Sequence, residues 1–405
     1  MNADPKGRLD YRNDPVECTT ASRTRFENAM KLELSSPKGL LYQPPSPRRP
    51  DAPGRSNAVI GLASYPYFFS GFQRLIGSLR SANFTGHIIL GVSPSLSTAE
   101  FEYLKAHDVT LYTVSTADCD DTIFGGSSGA SKKSKSVAGG QLMRGKCSSD
   151  LKHLKMEMGR FELARQWLQA CTGCTGWSLV LDTRDTFFQA DPLLALGDAS
   201  TATVNLMFVE EIAPHSSPVK DPSRSFVAGN PRNDAHTIGC YGREKYDTYR
   251  ERPVLCSGTV IGTRAGLHRF LSVMTDEFLW QNSQPSRKCR SPHTTDQWSM
   301  NYLYYNGRFG DDERTVTIPW GMGPVLTVGK ACMDKDRKTG ATDLVPRDGA
   351  GFMLNRFEGR VSPVVHQLDR CGKWMSQWLL SRPDIFRRPP PSVGGQEEIP
   401  QFSPE

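Results

Sequence analysis

The sequence predicts an α/β fold, with a mostly parallel central sheet flanked by helices and gathered in a single domain over roughly residues 58–385. Three observations predict it. Short runs of aliphatic and β-branched residues alternate with stretches whose apolar residues recur at helical spacing. The connections between them are short, as βαβ units require. The 405 residues carry 38% hydrophobic side chains, enough for one sizeable core.

Taken in order, residues 1–57 read as a tail and linker, extended around Pro44-Pro-Ser-Pro-Arg-Arg-Pro50. Ala58–Ala63 is a buried strand, and Phe69–Ala82 is a helix with Phe69, Phe72, Ile76 and Leu79 on one face. His87–Val92 is the next strand. Thr98–His107 is a short helix with Ser97 as its N-cap, and Val109–Val114 is a third strand. A Gly/Ser/Lys-rich insertion then covers about residues 116–150. Leu151–Ala170 is a strongly apolar-faced helix, and Trp177–Leu181 is a strand. Further strands are expected at Val204–Val209, Ser257–Gly262 and Thr315–Ile318. Helices are expected at Leu267–Trp280 and Thr295–Tyr305, and residues 386–405 read as a second tail.

Charge narrows the possible partners. The chain has 49 basic and 43 acidic residues, a net +6, with part of the excess inside the insertion. Nucleic-acid binding calls for a stronger basic bias interleaved with aromatics, so no nucleic-acid partner is expected. No apolar run approaches the ~18 residues that span a bilayer. No signal-peptide apolar core opens the chain. Ten cysteines in 405 residues are too few for a disulfide scaffold. Cys171-Thr-Gly-Cys174 could be a redox pair, half a zinc site or a small disulfide, and reads best as a structural or incidental pair. A second C-x-x-C that would complete a zinc site is missing, and the pair falls at a helix end rather than a helix start.

The chemistry concentrates in Asp182-Thr-Arg-Asp185-Thr-Phe-Phe-Gln-Ala-Asp-Pro192, at the C-terminal end of a strand, where open α/β sheets place ligands. Two carboxylates there can hold a hard divalent ion whose shell substrate phosphates complete. Taken alone, the plainer reading is the better one: Asp182 caps a turn and Asp185 pairs with Arg184 or another cation. Three later segments change the balance: Cys256-Ser-Gly-Thr-Val-Ile-Gly262, Thr295-Asp-Gln297 with Asn301-Tyr302, and Val365-His-Gln-Leu-Asp-Arg370. With the Asp182 stretch they resemble, in order, the GT-A nucleotide-diphospho-sugar transferases that carry a D-x-R-D-x-x-F-Q-x-D-P motif. The resemblance covers roughly residues 58–385.

That resemblance implies a GT-A-like single catalytic domain and a hexosyltransferase-like activity. A sugar would pass from a nucleotide-sugar donor to a hydroxyl of a glycan, protein or small-molecule acceptor, with Mn2+ or Mg2+ assisting. It implies Asp185 and His366 as metal ligands. A strict D-x-D would place its first Asp at Thr183, so Asp182 takes over that work on the donor or on metal-bound water. Asp296 is the implied catalytic carboxylate, a general base or an orienting group for the acceptor hydroxyl; the residues alone also allow a helix N-cap. Ser257 and Gly258 are implied to let the backbone approach the sugar, since glycine lacks a Cβ. Ser64 and Tyr65, directly after the first strand, are implied to hold the nucleotide base and ribose. Among Lys152, Lys155 and Arg160, Arg160 is the residue taken as reaching the diphosphate, against a solvated helix face for all three. The alternative function is a nucleotide-sugar-binding protein of this fold without turnover. The sequon Asn83-Phe-Thr85, the loop-placed cysteines and the family's habit point to the Golgi or ER lumen. The missing anchor points to the cytoplasm instead.

Overall fold

The computed structural model describes residues 40–44, 54, 56–63, 69–93, 96–114, 117–118, 143–144, 156–212, 226–228, 231–283, 289, 296–310, 314–329, 331, 345–371 and 381. Its strands are β1 (Leu40–Tyr42), β2 (Ala58–Ala63), β3 (His87–Val92), β4 (Val109–Thr113), β5 (Ala117–Asp118), β6 (Met143–Arg144), β7 (Trp177–Asp182), β8 (Thr186–Phe188), β9 (Leu206–Glu210), β10 (Leu255–Thr263), β11 (Thr315–Ile318), β12 (Val325–Thr327) and β13 (Val364–His366). Helix α1 runs through Phe69–Phe72, a π-helical Gln73–Gly77 and Ser78–Ser81. The others are α2 (Thr98–Ala106), α3 (Met156–Ala170), α4 (Pro231–Tyr241), α5 (Arg243–Asp247), α6 (Arg264–Ser283) and α7 (Asp296–Tyr305).

The fold is the expected α/β class. Eight strands form one sheet in the order β1-β4-β3-β2-β7-β10-β9-β11. Neighbours run parallel from β4 through β7 and between β9 and β11; β10 runs antiparallel to both of its neighbours, and β1 to β4. A three-stranded sheet, β12-β13-β8, stands beside it. Pairing of β5 with β6 closes the described ends of the insertion. Leu40–Tyr42 lies inside the stretch read as a tail, yet it adds an edge strand to β4. Three residues with no period of their own give no strand signal; the exposed backbone edge of β4 is what recruits them.

The run Ala58-Val-Ile-Gly-Leu-Ala63 is apolar throughout because the sheet is covered on both faces. Alternate residues divide between two cores. Ala58, Ile60 and Leu62 pack with Phe161 and Trp167 of α3 and Phe270 of α6. Val59 and Ala63 pack with Phe72, Leu75 and Leu79 of α1. Each such fully buried Leu, Ile or Phe contributes roughly 1.5–3 kcal/mol of transfer free energy. Helix α2 starts on the expected cap: the Ser97 hydroxyl accepts from Glu100 N, and the Glu100 carboxylate accepts from Ser97 N at 2.8 Å.

Cys171 and Cys174 are joined in a disulfide at the end of α3, and Cys240 is joined to Cys289. Among the described residues no helix is long and apolar enough to cross a membrane.

Candidate active site

Strand β7 lies between β2 and β10 and ends at Asp182. The chain turns through Asp185 and leaves the large sheet as β8, which pairs antiparallel with β13 so that Thr186 stands opposite His366. Strand β10 runs antiparallel to β7 with Thr259 opposite Leu181, which sets Gly258 beside Asp182. Three strand ends therefore bring Asp182, Asp185, His366 and Gly258 together. Asp182, Asp185 and His366 offer one ligand atom each, all within 4.8 Å of one another.

The hydrogen bonds fix the histidine's tautomer. The Thr186 hydroxyl donates to the Asp182 carbonyl at 2.6 Å, so its single proton is used. At 3.0 Å from His366 Nδ1 it can therefore only accept, and Nδ1 carries the hydrogen. The Nε2 lone pair is left for the site. Burial pushes the His366 pKa down; the Arg370 and Arg160 charges add to this, and Asp185 opposes it. The imidazole is held neutral, the form that ligates a metal.

Two further observations fit a cation here. Asp185 is 5% exposed, and its Oδ1 is buried with no hydrogen-bond donor, 3.5 Å from His366 Nδ1. A buried carboxylate oxygen without a donor is costly unless a cation faces it. A Cβ placed on Gly258 would come within 2.7 Å of Asp182 Oδ2 and closer still to His366 Nε2. Those two atoms thus converge on the space that the missing side chain leaves. Two hard oxygens and one imidazole suit Mn2+, and Mg2+ less well.

Arg160 of α3 reaches the cluster from the other side. Its guanidinium pairs with Asp182 Oδ1 and with Asp296 Oδ2, and Nη2 donates to the Ser257 carbonyl at 3.2 Å. The side chain is 15% exposed, so the solvated-face reading fails for this residue. Asp182 divides its two oxygens, Oδ1 to Arg160 and Oδ2 toward His366 and Gly258. Asp296 opens α7, and its Oδ1 accepts from Gln297 N at 2.8 Å and from the Ser257 hydroxyl at 3.0 Å. The helix-start role and the site-facing position thus coincide in one residue. Ser64, Tyr65, Lys152 and Lys155 lie outside the described residues.

The rest of the motif is scaffold. Thr183 donates to the Leu62 carbonyl at 2.8 Å, so the place of the first Asp in a strict D-x-D turns toward β2 and supplies no ligand. Arg184 pairs with Asp369 at 3.0 Å, not with Asp185. Phe187 and Phe188 fill two different cores. Gln189 ties down the chain near Met353 and Ser362 through Nε2 bonds of 3.0 and 2.8 Å. Asp191 Oδ1 accepts from Leu193 N and Leu194 N.

Sequence reasoning missed Thr186, which orients His366, and Glu211, a fully buried carboxylate behind the site. One signal was available for the second. Asp296 and His366 are each followed by a glutamine, Gln297 and Gln367, and both glutamines donate to Glu211.

No family model matches the sequence, and no curated protein matches it. Solved structures do. One is the galactosyltransferase LgtC in complex with donor and acceptor sugar analogs, at 10% identity and a TM-score of 0.40, covering 80% of this chain and 94% of that one. Another is the apo-form glycosyltransferase GlyE of Streptococcus pneumoniae TIGR4, at 11% identity and a TM-score of 0.38, covering 80% and 59%. A third is 4-diphosphocytidyl-2C-methyl-D-erythritol synthase of Anaerococcus prevotii, at 8% identity and a TM-score of 0.32, covering 65% and 87%. Likeness at that level says nothing about what this chain binds, which has to come from its own side chains.

Proposed function

We propose that this protein is a glycosyltransferase that moves a sugar from a nucleotide-diphosphate sugar to a hydroxyl of a glycan, protein or small-molecule acceptor, assisted by Mn2+ or Mg2+. One observation carries the reading. Asp182, Asp185 and His366 each offer a ligand atom within 4.8 Å of the others at the strand ends of an α/β sheet; Asp182 Oδ2 and His366 Nε2 converge beside Gly258, and Asp185 Oδ1 is buried and undonated.

Asp185, His366 and Asp182 would hold the metal, which supplies positive charge against the departing nucleoside diphosphate. Thr186 keeps the His366 lone pair aimed at the site. Gly258 leaves room for the donor beside the backbone, and Ser257 is oriented by Asp296. Arg160 holds Asp182 and Asp296 a fixed distance apart and is the cation best placed to meet a diphosphate oxygen. Asp296 is the proposed catalytic carboxylate. Its Oδ1 already accepts two hydrogen bonds and its Oδ2 faces Arg160, so it is better set to orient an acceptor hydroxyl than to strip its proton. Ser64 and Tyr65, which follow β2 in the sequence, are proposed to hold the nucleotide.

The same engagement of Asp296 favours a second reading, a nucleotide-sugar-binding protein without turnover. Incubation of the full chain with nucleotide sugars and Mn2+, followed by quantifying released sugar and nucleoside diphosphate, separates the two. Metal-dependent release that Asp185→Ala removes is the expected result. Donor binding with no release in any combination favours the second reading.

A further inference from the structure

We propose that Glu211 is the positioning residue of this site, its single carboxylate tying together the three chain segments that carry Asp296, His366 and Ser257. The inference rests on the transferase reading, because it assigns a role within that site.

Glu211 directly follows β9 and is 5% exposed. Its main-chain N–H donates to the Val254 carbonyl at 2.9 Å, which anchors it next to β10. One carboxylate oxygen, Oε1, accepts from Gln297 Nε2; the other, Oε2, accepts from Gln367 Nε2 at 2.8 Å. The buried thiol of Cys256 hydrogen-bonds to the same carboxylate. Each of these partners is the immediate neighbour of a site residue: Gln297 follows Asp296, Gln367 follows His366, and Cys256 precedes Ser257.

The links are specific in geometry. Gln297 Nε2 also donates to the Leu255 carbonyl at 3.0 Å, which locks the start of α7 against β10. Gln367 sits at φ 64°, a conformation that costs a non-glycine residue energy and persists where surrounding bonds over-determine it. Its amide is held at both ends, Nε2 on Glu211 and Oε1 accepting from Arg370 Nη1 at 3.0 Å. A buried carboxylate is an expensive way to fill space, since an apolar side chain of similar volume does so without desolvating a charge. Glu211 therefore acts as an acceptor that amide side chains reach from two directions. It touches no candidate ligand atom itself and works through its neighbours.

The test is Mn2+ affinity of the full-length chain, read from the free-ion paramagnetic resonance signal, beside the melting temperature without metal. In Glu211→Gln an amide faces two amide donors, so one link breaks. Outer-sphere partners of a metal site are worth about 10–100-fold in affinity, and a loss in that range is expected. The swap Glu211→Gln with Gln367→Glu restores both bonds with roles exchanged: the new amide donates to position 367 and accepts from Gln297. Recovery of Mn2+ affinity to near wild type is expected from the swap. Affinity unchanged in Glu211→Gln, with only the melting temperature lowered, overturns the proposal. So does a swap that restores stability but not affinity. Should Glu211→Gln fail to fold, Gln367→Met cuts only the link to the His366 segment; weakened binding supports the role and unchanged binding overturns it. A wild-type chain that binds neither Mn2+ nor a nucleoside diphosphate overturns the transferase reading itself, and the positioning role with it.

Discussion

Replacing Gly258 by alanine probes the site through space alone. The added Cβ would lie 2.7 Å from Asp182 Oδ2, where ordinary contact begins at 3.4 Å, so 3.4 − 2.7 leaves about 0.7 Å to be found. His366 Nε2 lies nearer still, and its ring cannot retreat, being 1% exposed on a strand paired on both sides. Functional constellations tolerate about 0.5 Å of displacement before they fail. A loss of Mn2+ affinity of at least about 10–100-fold is therefore expected, the range seen when only supporting groups are removed. The cost to folding should be modest. Alanine in a strand gains roughly 0.5–1 kcal/mol over glycine, against roughly 1–3 kcal/mol for overpacking. Mn2+ titration and thermal melting of Gly258→Ala decide the matter. A variant that keeps wild-type Mn2+ affinity refutes the placement of the ligands around this glycine.

Thr186→Val should leave the fold in place but release the tautomer of His366, weakening Mn2+ by about 10-fold; unchanged affinity in a titration would show that the hydroxyl orients nothing. Arg160→Gln removes the cation that shares Asp182 with the metal site. Mn2+ alone should bind several-fold tighter, while nucleoside diphosphate binding, followed by calorimetry, weakens. Glu277 is buried against Tyr241, which donates to it at 2.8 Å, and Gln281, and burial raises its pKa above the ordinary 4.5. The folded chain thus holds this proton more tightly than the unfolded chain. That contribution is complete below pH 4.5 and is lost as the pH rises through the folded pKa. Glu277→Gln keeps an acceptor for both donors and cannot titrate, so its melting temperature should gain on wild type as pH climbs from 4 toward neutrality, and parallel curves would contradict this.

Much of the fold was legible because periodicity carries it. Ala58–Ala63, His87–Val92 and Thr315–Ile318 stand where their apolar runs put them, and α1, α2 and α7 begin or end within a residue of expectation. What was not legible depends on partners distant in sequence. The edge strand Leu40–Tyr42 exists because β4 offers it an edge. The pairing of Thr186 with His366 spans 180 residues. The motif from Asp182 to Pro192 read as one chemical unit, yet only Asp182, Asp185 and Thr186 face the site; Gln189 and Asp191 hold loops. The missing first Asp of D-x-D has a plain reason. Thr183 points to β2, and the carboxylate one residue earlier points to the site instead. The pairing of Arg160 with Asp182 and Asp296, likewise distant in sequence, was not legible either.

The most direct test is a thermal-shift panel of nucleoside diphosphates and their sugars on the full chain, with and without Mn2+, run beside Asp185→Ala. The expected result is a rise in melting temperature with one nucleotide class that needs Mn2+ and vanishes in the variant. No shift with any nucleoside diphosphate, or an equal shift in Asp185→Ala, would contradict the assignment of this carboxylate cluster as a donor site.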